Sequence, residues 1–369
     1  MAEQPATVHG VVIDDTFAEA FGMRAARVII TAATPRWARQ AATTMTGFAT
    51  SVIACKCEAA IERELLPRLT PDGRPGISVL VFATDSDGLQ KRLVERIGQT
   101  VLTCPTTACF DGLPDATERM SVGKPLRIFG DGFQSSKVVA GRRYWRIPVM
   151  EGEFLIQEDF GRAKAIGGGN FLIQGETAEA TLAAAESAVE AMTGIVGVIL
   201  PFPGGIVRSG SKIGAKRYKT MIASTNDAFA PTLRPITTTQ LAEGVNSVLE
   251  IVLDGLDFES IAGAMRIGIT AACRPGIRRI TAGNYGGKLG PHHFHLRKIL
   301  SGDRSPEPPP SPVAAPPSAA PATGTAPAPA SATTPAAKPA TAPATTPATT
   351  AATTAATAPV PTPAPKPTT

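Results

Sequence analysis

Long apolar runs are missing from this chain. None of its uninterrupted hydrophobic stretches approaches the roughly 18 residues of a membrane-spanning helix. The opening MAEQPATVHGVVIDDTFAEAFG carries acids where a secretory signal needs a basic start and an apolar core. Cysteine is sparse and odd in number: five, scattered apart from the close pair Cys55 and Cys57. That argues against a disulfide framework and leaves no Cys-x-x-Cys site. Histidine is scarcer, and three of the four lie in PHHFHL. His293 and His295 would share a strand face, yet no third ligand stands at a recognisable metal spacing. A Gly-x-Ser-x-Gly elbow is absent, and no cysteine has an evident partner base, so a covalent nucleophile lacks support. The expectation is a reduced, cytoplasmic protein with no bound metal or prosthetic group and no membrane partner.

The last stretch lacks core-forming residues. From Asp303 to Thr369 the chain is Pro, Ala, Thr and Ser, with no aromatic and hardly any large aliphatic side chain. Such a segment cannot bury enough apolar surface to offset the entropy of ordering it. It reads as a disordered low-complexity tail over 303–369, a tether or spacer. The preceding three hundred or so residues have ample material for a core.

Charge is modest overall, +5, but unevenly placed. PFPGGIVRSGSKIGAKRYK, residues 201 to 219, holds five cations, four glycines and no acid, whereas Glu and Asp dominate 151 to 159. A local anion site fits this better than a nucleic-acid face, which needs broader basic cover and, for RNA, a string of stacking aromatics that is not present. A nucleotide phosphate loop is disfavoured too: Gly210 is followed by Ser211 and only then by Lys212, whereas that loop needs Lys directly after Gly. Glycines let backbone N–H groups approach an anion, and Arg208, Ser209, Ser211, Lys212, Lys216 and Arg217 supply charge and hydroxyls. A solvated loop would have the same composition. Two further polar turns, ASTNDAF (223 to 229) and TAGNYGGKLG (281 to 290), offer Asn226, Asp227, Asn284 and Lys288 as groups to orient a polar ligand.

The chain repeats itself. RIGQTVLTCP at 96 to 105 and RIGITAACRP at 266 to 275 share R-I-G-x-T-x-x-x-x-P. MTGFATSVI at 45 to 53 and MTGIVGVI at 192 to 199 each follow a helix-like segment, with Gly expected as a left-handed C-terminal cap. Strands are expected before each helix at 27–31 and 171–174, after each Gly near 48–54 and 195–200, and ahead of the R-I-G helices in GISVLVFA and NSVLEIVLDG. Each half thus spells β-α-β-β-α-β, a ferredoxin-like unit. The expected fold is α+β: two duplicated lobes, 1–148 and 149–302, the second carrying most of the candidate site.

Differences between the copies single out Glu250. Aligning the R-I-G motifs without gaps sets it opposite Leu80, in the middle of the apolar strand SVLEIVLDG and on one face with Val248 and Val252. A solvated or salt-bridged strand glutamate would show the same pattern. Buried, its pKa would rise, and such a carboxyl can serve as general acid and base.

Seven blocks carry a family resemblance: IDDTFAEAFGMRAARVIITA, TPDGRPG, EGEFLIQEDFG, GGGNFLI, PFPGGIVRSGSKIG, ASTNDAF and AGNYGGKLG. From about Val8 to Leu300 the chain resembles formylmethanofuran:tetrahydromethanopterin formyltransferase, and only the tail departs from that pattern. The resemblance implies an enzyme that moves a formyl group between methanofuran and N5 of tetrahydromethanopterin, with both carriers as substrates and no prosthetic group. It further implies a homotetramer of two-lobed subunits. In methylotrophic bacteria it implies other subunits of a formyltransferase/hydrolase complex, serving formaldehyde oxidation to formate. The family's proposed proton-transfer carboxylate falls on Glu250. The alternative is a non-catalytic assembly subunit of the same complex. Both carriers bear anionic tails, so the cationic loop is expected to clamp them away from the chemistry.

Overall fold

A computed structural model describes residues 6–288 and 290–303; apart from its first residue, the expected tail falls outside the described residues. In the first half, strand β1 (Phe17–Thr31) leads to helix α1 (Pro35–Thr46), strands β2 (Glu58–Leu65) and β3 (Gly76–Ala83), helix α2 (Ser86–Arg96) and strand β4 (Ala108–Asp111). In the second, β5 (Asp159–Gly175) leads to α3 (Ala178–Met192), β6 (Val198–Ile199), a short strand pair β7 (Ser211–Ile213) and β8 (Ala223–Thr225), then β9 (Ser247–Gly255), α4 (Phe258–Ala272), β10 (Ile277–Thr281) and β11 (His292–His295). Without the inserted pair, β11, and the strands outside the two units (Thr7–Val8, Val11–Ile13 and four between 118 and 157), the halves have the same order of elements, β-α-β-β-α-β.

Local chemistry starts these helices. Asp85, Thr177 and Asp257 accept backbone N–H bonds from Gly88, Ala180 and Ser260 at 2.7, 3.1 and 2.7 Å. Pro35 opens α1, where its missing N–H costs nothing. Buried residues repeat at helical spacing, Ala38, Ala41, Ala42 and Met45 in α1 and Ala184, Ala185, Ala188 and Met192 in α3, so each helix lays one face on its sheet.

Strand pairing gives the order β2-β3-β1-β4 in one half and β6-β9-β5-β10 in the other. These are equivalent arrangements, with each unit's first strand in the interior. Both first strands overrun their units, and their overhangs pair antiparallel from Ala25 with Ala163 to Phe21 with Gly167. The two sheets thereby fuse into one. Two cores lie beneath the helices, one including Val28, Ile30, Met45, Val79 and Leu93, the other Phe171, Ile173, Met192, Ile251 and Ile269. They trade segments across the expected boundary at 148 and 149. Phe154 and Ile156 join the first core, through a strand that pairs with β4, while Val11, Ile13, Ala18 and Ala20 join the second.

Three local expectations need correction. Residues near 48–54 form no strand. Ser51 accepts from Ile53 N–H and starts a helical turn over Val52–Cys55, and the strand begins only at Glu58. Gly194 has the left-handed backbone expected of it (φ 80°), but Gly47 does not (φ −60°), and Phe48 takes the positive φ instead. The first helix runs to Thr46, so Gly47 is still its cap residue, and Arg96 binds the carbonyls of Met45, Gly47 and Phe48. Finally, α2 has two more residues than α4 between its N-cap and the R-I-G motif. Counting from the caps therefore sets Glu250 opposite Ser78 rather than Leu80.

Candidate active site

Glu250 lies in the middle of β9, a strand held on both sides. Its Cα partner on β5 is Leu172. On the other side the glycine-rich stretch runs alongside: Val207 N–H donates to the Glu250 carbonyl at 2.7 Å, and Glu250 N–H donates back at 3.0 Å. Ile251 and Leu253 point into the helix-covered core, so alternation sends Glu250 to the helix-free face. There its side chain reaches a cavity of about 530 Å³. Burial pushes its carboxyl up to about 7. Glu250 is half-buried and faces the cavity rather than open solvent.

Of the residues the sequence singled out, the cavity wall contains Ser211, Lys212, Asn226 and Asn284 as well as Glu250. The strand pair β7 and β8 brings Ser211 beside Thr225 and Lys212 beside Ser224, so two separate polar turns meet at one wall. Arg208, Ser209, Arg217 and Lys288 are exposed and do not line the cavity. Arg217 instead lies over the ring of its neighbour Tyr218, at 5.8 Å.

The expected set of free cations is smaller than the sequence suggests. Asp227 pairs with both Lys212 and Lys216, the latter at 2.6 Å. Asp227 thus offsets the charge of two of the loop's five cations. Partial desolvation and the charge of Lys216 also pull the Lys212 pKa down. Asn284 spends its amide on Thr16 Oγ1 (3.0 Å) and the Phe17 carbonyl (3.2 Å), and its oxygen accepts Gly286 N–H. Its role is to fix the turn.

The glycine turn after β10 points several backbone N–H groups at one spot. An internal anion takes them. Glu19, 1 % exposed, accepts from Tyr285 N–H and Gly287 N–H on one oxygen, at 2.7 and 3.1 Å, and from Gly290 N–H on the other, at 2.7 Å. Gly286 and Gly287 supply the positive φ, 72° and 71°, that turns these donors inward. At Gly290 an added Cβ would stand 2.1 Å from the Ala20 carbonyl oxygen, so only glycine fits. Alongside, Asn170 bridges to Gly283, accepting its N–H at 2.6 Å and donating to its carbonyl at 3.2 Å.

Sequence reasoning missed Glu19, Asn170, Gln240 and Tyr285. Asp14, Asp15 and Thr16 also line the cavity, although they appear only inside a motif quoted for other reasons. A lone acid between alanines in FAEAFG was the one available signal for Glu19. His293 and His295 of β11 pack against Phe17 with tilted rings, their centroids at 4.6 and 5.2 Å. Among the described residues no three His, Cys, Asp or Glu side chains gather as a cation site, and no helix is long and apolar enough to cross a membrane.

Comparison with known proteins bears on the chemistry. Residues 6–149 match the family described as formylmethanofuran-tetrahydromethanopterin formyltransferase, and residues 152–299 match its proximal lobe. The chain is 61 % identical over 302 residues to formylmethanofuran–tetrahydromethanopterin formyltransferase of Methylobacillus flagellatus, covering 80 % of this chain and 99 % of that one. It is 51 % identical over 295 residues to the protein of that name from Methanosarcina acetivorans, covering 79 % and 99 %. Two solved structures are similar. The Methanosarcina barkeri formyltransferase has a TM-score of 0.77 at 51 % identity, with 80 % of this chain and 100 % of that chain covered. A chain of the formyltransferase/hydrolase complex from Methylorubrum extorquens, solved with methylofuran, has a TM-score of 0.78 at 50 % identity, with 80 % and 99 % covered.

Proposed function

The chain belongs to the formylmethanofuran–tetrahydromethanopterin formyltransferase family, and from that premise we propose that Glu250 carries the proton in its reaction. It is a formyltransferase of one-carbon metabolism, acting between formylmethanofuran and tetrahydromethanopterin. In transfer between two amines, the attacking nitrogen must lose a proton and the leaving nitrogen must gain one. Glu250 takes the first proton as a carboxylate and returns it as a carboxylic acid. The resting form is the same in both directions of transfer. The observation that carries this role is a carboxyl set in the wall of a polar cavity, between Leu249 and Ile251 on its strand, where burial raises it to about 7. Such a value leaves both protonation states accessible near neutrality, which suits a shuttle.

Glu250→Gln keeps the shape and the hydrogen-bonding capacity but cannot exchange a proton. Followed by pterin absorbance, it should lose about 10²- to 10⁴-fold in kcat with little change in KM. The wild-type rate should rise with pH through a limb at about 7, as the carboxyl ionises, and the variant should lack that limb. A variant retaining more than about a tenth of wild-type kcat would remove Glu250 from the chemistry.

The cationic stretch belongs to carrier binding in this reading. Arg208 and Arg217, exposed and without an acidic partner among the described residues, meet the anionic tails, while Lys212 reaches the cavity itself. The chain also works as part of an assembly, as a homotetramer and with the other subunits of a formyltransferase/hydrolase complex. Supporting this, the β7–β8 arm presents Ile213, Tyr218, Met221 and Ile222 at 47–66 % exposure, an apolar surface of the kind that partners cover.

A further inference from the structure

Glu19 is buried and ionisable, yet the proton transfer assigned to Glu250 makes no use of it. Its two oxygens are committed to backbone N–H groups of the glycine turn. A carboxylate is acceptor-only, so it can hold several converging donors where a neutral amide would present one mismatched NH₂ group. The cost of burying the charge is offset by these bonds, and the turn is fixed in return. Asn284 and Asn170 tie down the residues before it, and Gly290 packs against β1 with no room for a side chain.

The fixed turn aims one side chain at the site. Tyr285 lines the cavity together with Glu250. Burial, followed by the charges of Glu250 and Glu19, holds its phenol pKa above the ordinary value, so the phenol stays protonated at working pH. Its backbone N–H is bound to Glu19, and its side chain, 38 % exposed, lies in the cavity wall, whereas the amide of its neighbour Asn284 is already spent on Thr16 and Phe17. Formyl transfer requires such a donor, because the carbonyl oxygen becomes an oxyanion when the amine adds.

We infer that Tyr285 donates the hydrogen bond to the formyl oxygen, and that Glu19 is a positioning residue acting through Tyr285. The inference rests on the reading of Glu250 as proton carrier. As the attacking nitrogen bonds the formyl carbon, the carbonyl electron pair moves to oxygen and the phenol O–H binds it. Glu250 takes the proton from that nitrogen and passes it to the departing one. The carbonyl then re-forms as the old C–N bond breaks. Tyr285 keeps its own proton throughout.

The test uses the full chain, with formylmethanofuran and tetrahydromethanopterin as substrates. Tyr285→Phe removes only the donor and should cost about 10²- to 10³-fold in kcat, with KM almost unchanged and the pH limb of Glu250 retained. Glu19→Gln should lower kcat in the wild-type background and add less than about threefold in the Tyr285→Phe background, since coupled residues are non-additive. Glu19→Asp, which keeps the charge, should recover part of the Gln loss and serves the same cycle if Gln does not fold. A Tyr285→Phe kcat within about threefold of wild type would overturn the donor role. Equal fold losses for the Glu19 variants in both backgrounds would overturn action through Tyr285. Loss in Tyr285→Phe beside an unaffected Glu250→Gln would uphold the donor and sink only the proton carrier.

Discussion

Removing Glu62 should cost more stability than removing any surface carboxylate, and the structure sets the size of the effect. Glu62 lies on β2, and its side chain is fully buried. Arg27 donates to both of its oxygens, at 2.6 and 2.8 Å, Ser78 Oγ donates at 2.5 Å, and Gly197 N–H donates at 2.6 Å. Gly197 belongs to the second half of the chain, so this carboxylate ties the halves together. Burial pushes the Glu62 carboxyl up, but the hydrogen bonds from Arg27 and Ser78, the Arg27 charge and the Gly197 N–H outweigh it, and the net shift is down. Glu62→Leu would leave a guanidinium and two neutral donors without an acceptor. Breaking a buried pair costs about 3–5 kcal/mol. The Arg27 side chain is 17 % exposed, so water reaches one side of it and the lower figure, about 3 kcal/mol, is expected. At about 2–4 °C per kcal/mol this is a fall of roughly 6–12 °C in melting temperature. Arg27→Met with Glu62→Leu removes both charges and should recover about half of that, with Ser78 and Gly197 still unpaired. A depressed carboxyl contributes stability above its unfolded pKa and loses it as pH falls through its folded value. The wild-type advantage should therefore shrink in acid. Melting curves of the three proteins from pH 7 down to 3 test this. A single variant within about 1 kcal/mol of wild type, or a double variant no better than the single, would refute the reasoning.

The opposite pH dependence is expected of Glu58 and Asp254, two buried carboxyls that lie together where the halves meet. Burial raises both, and the charge of Glu58 raises Asp254 further. Stability from raised acids is present at low pH and is lost as pH rises through the folded values. Asp254→Asn keeps an acceptor for Gly168 N–H, so it should melt near wild type below about pH 4, where the carboxyl is protonated folded and unfolded, and should lack the wild-type decline as pH rises from there; an unchanged slope would remove the pair as its cause. In the cationic loop, neutralising Arg208 and Arg217 should raise KM for anionic carriers more than it lowers kcat, and added salt should shrink the effect. Asp227→Asn, which frees Lys212 and Lys216, should lower that KM by up to about fivefold. Initial rates at two ionic strengths check both, and matching losses for carriers without anionic tails would move the loop from binding to folding.

The duplicated architecture was legible in the sequence because its signals are local. A ferredoxin-like unit is read from strand alternation, helix caps such as Asp85 and Asp257, and turn glycines, all within a few residues. The place of Glu250 in the cavity wall was signalled for a related reason: a carboxylate between Leu249 and Ile251 breaks the local apolar pattern of SVLEIVLDG. Where the local signal was ambiguous the reading slipped. The stretch near 48–54 is apolar enough for a strand, but Ser51 caps a helical turn there. The Leu80 alignment failed because the two R-I-G motifs stand at different distances from their helix caps, while the buried Leu89 and Leu93 match Ile261 and Met265 when counted from Asp85 and Asp257.

What only the tertiary structure decided is which charges meet. The pairing of Asp227 with Lys212 and Lys216 comes from two turns brought together by β7 and β8. Glu19 meets the turn at 285–290 because β1 lies beside β10's exit and pairs with β11. Glu62 reaches Gly197, 135 residues away, because the overrunning first strands fuse the two sheets. Local sequence specifies backbone preference and the side a residue faces. Whether a carboxylate there is solvated, paired, or raised to about 7, as at Glu250, depends on desolvation and on neighbours that only the closed fold supplies.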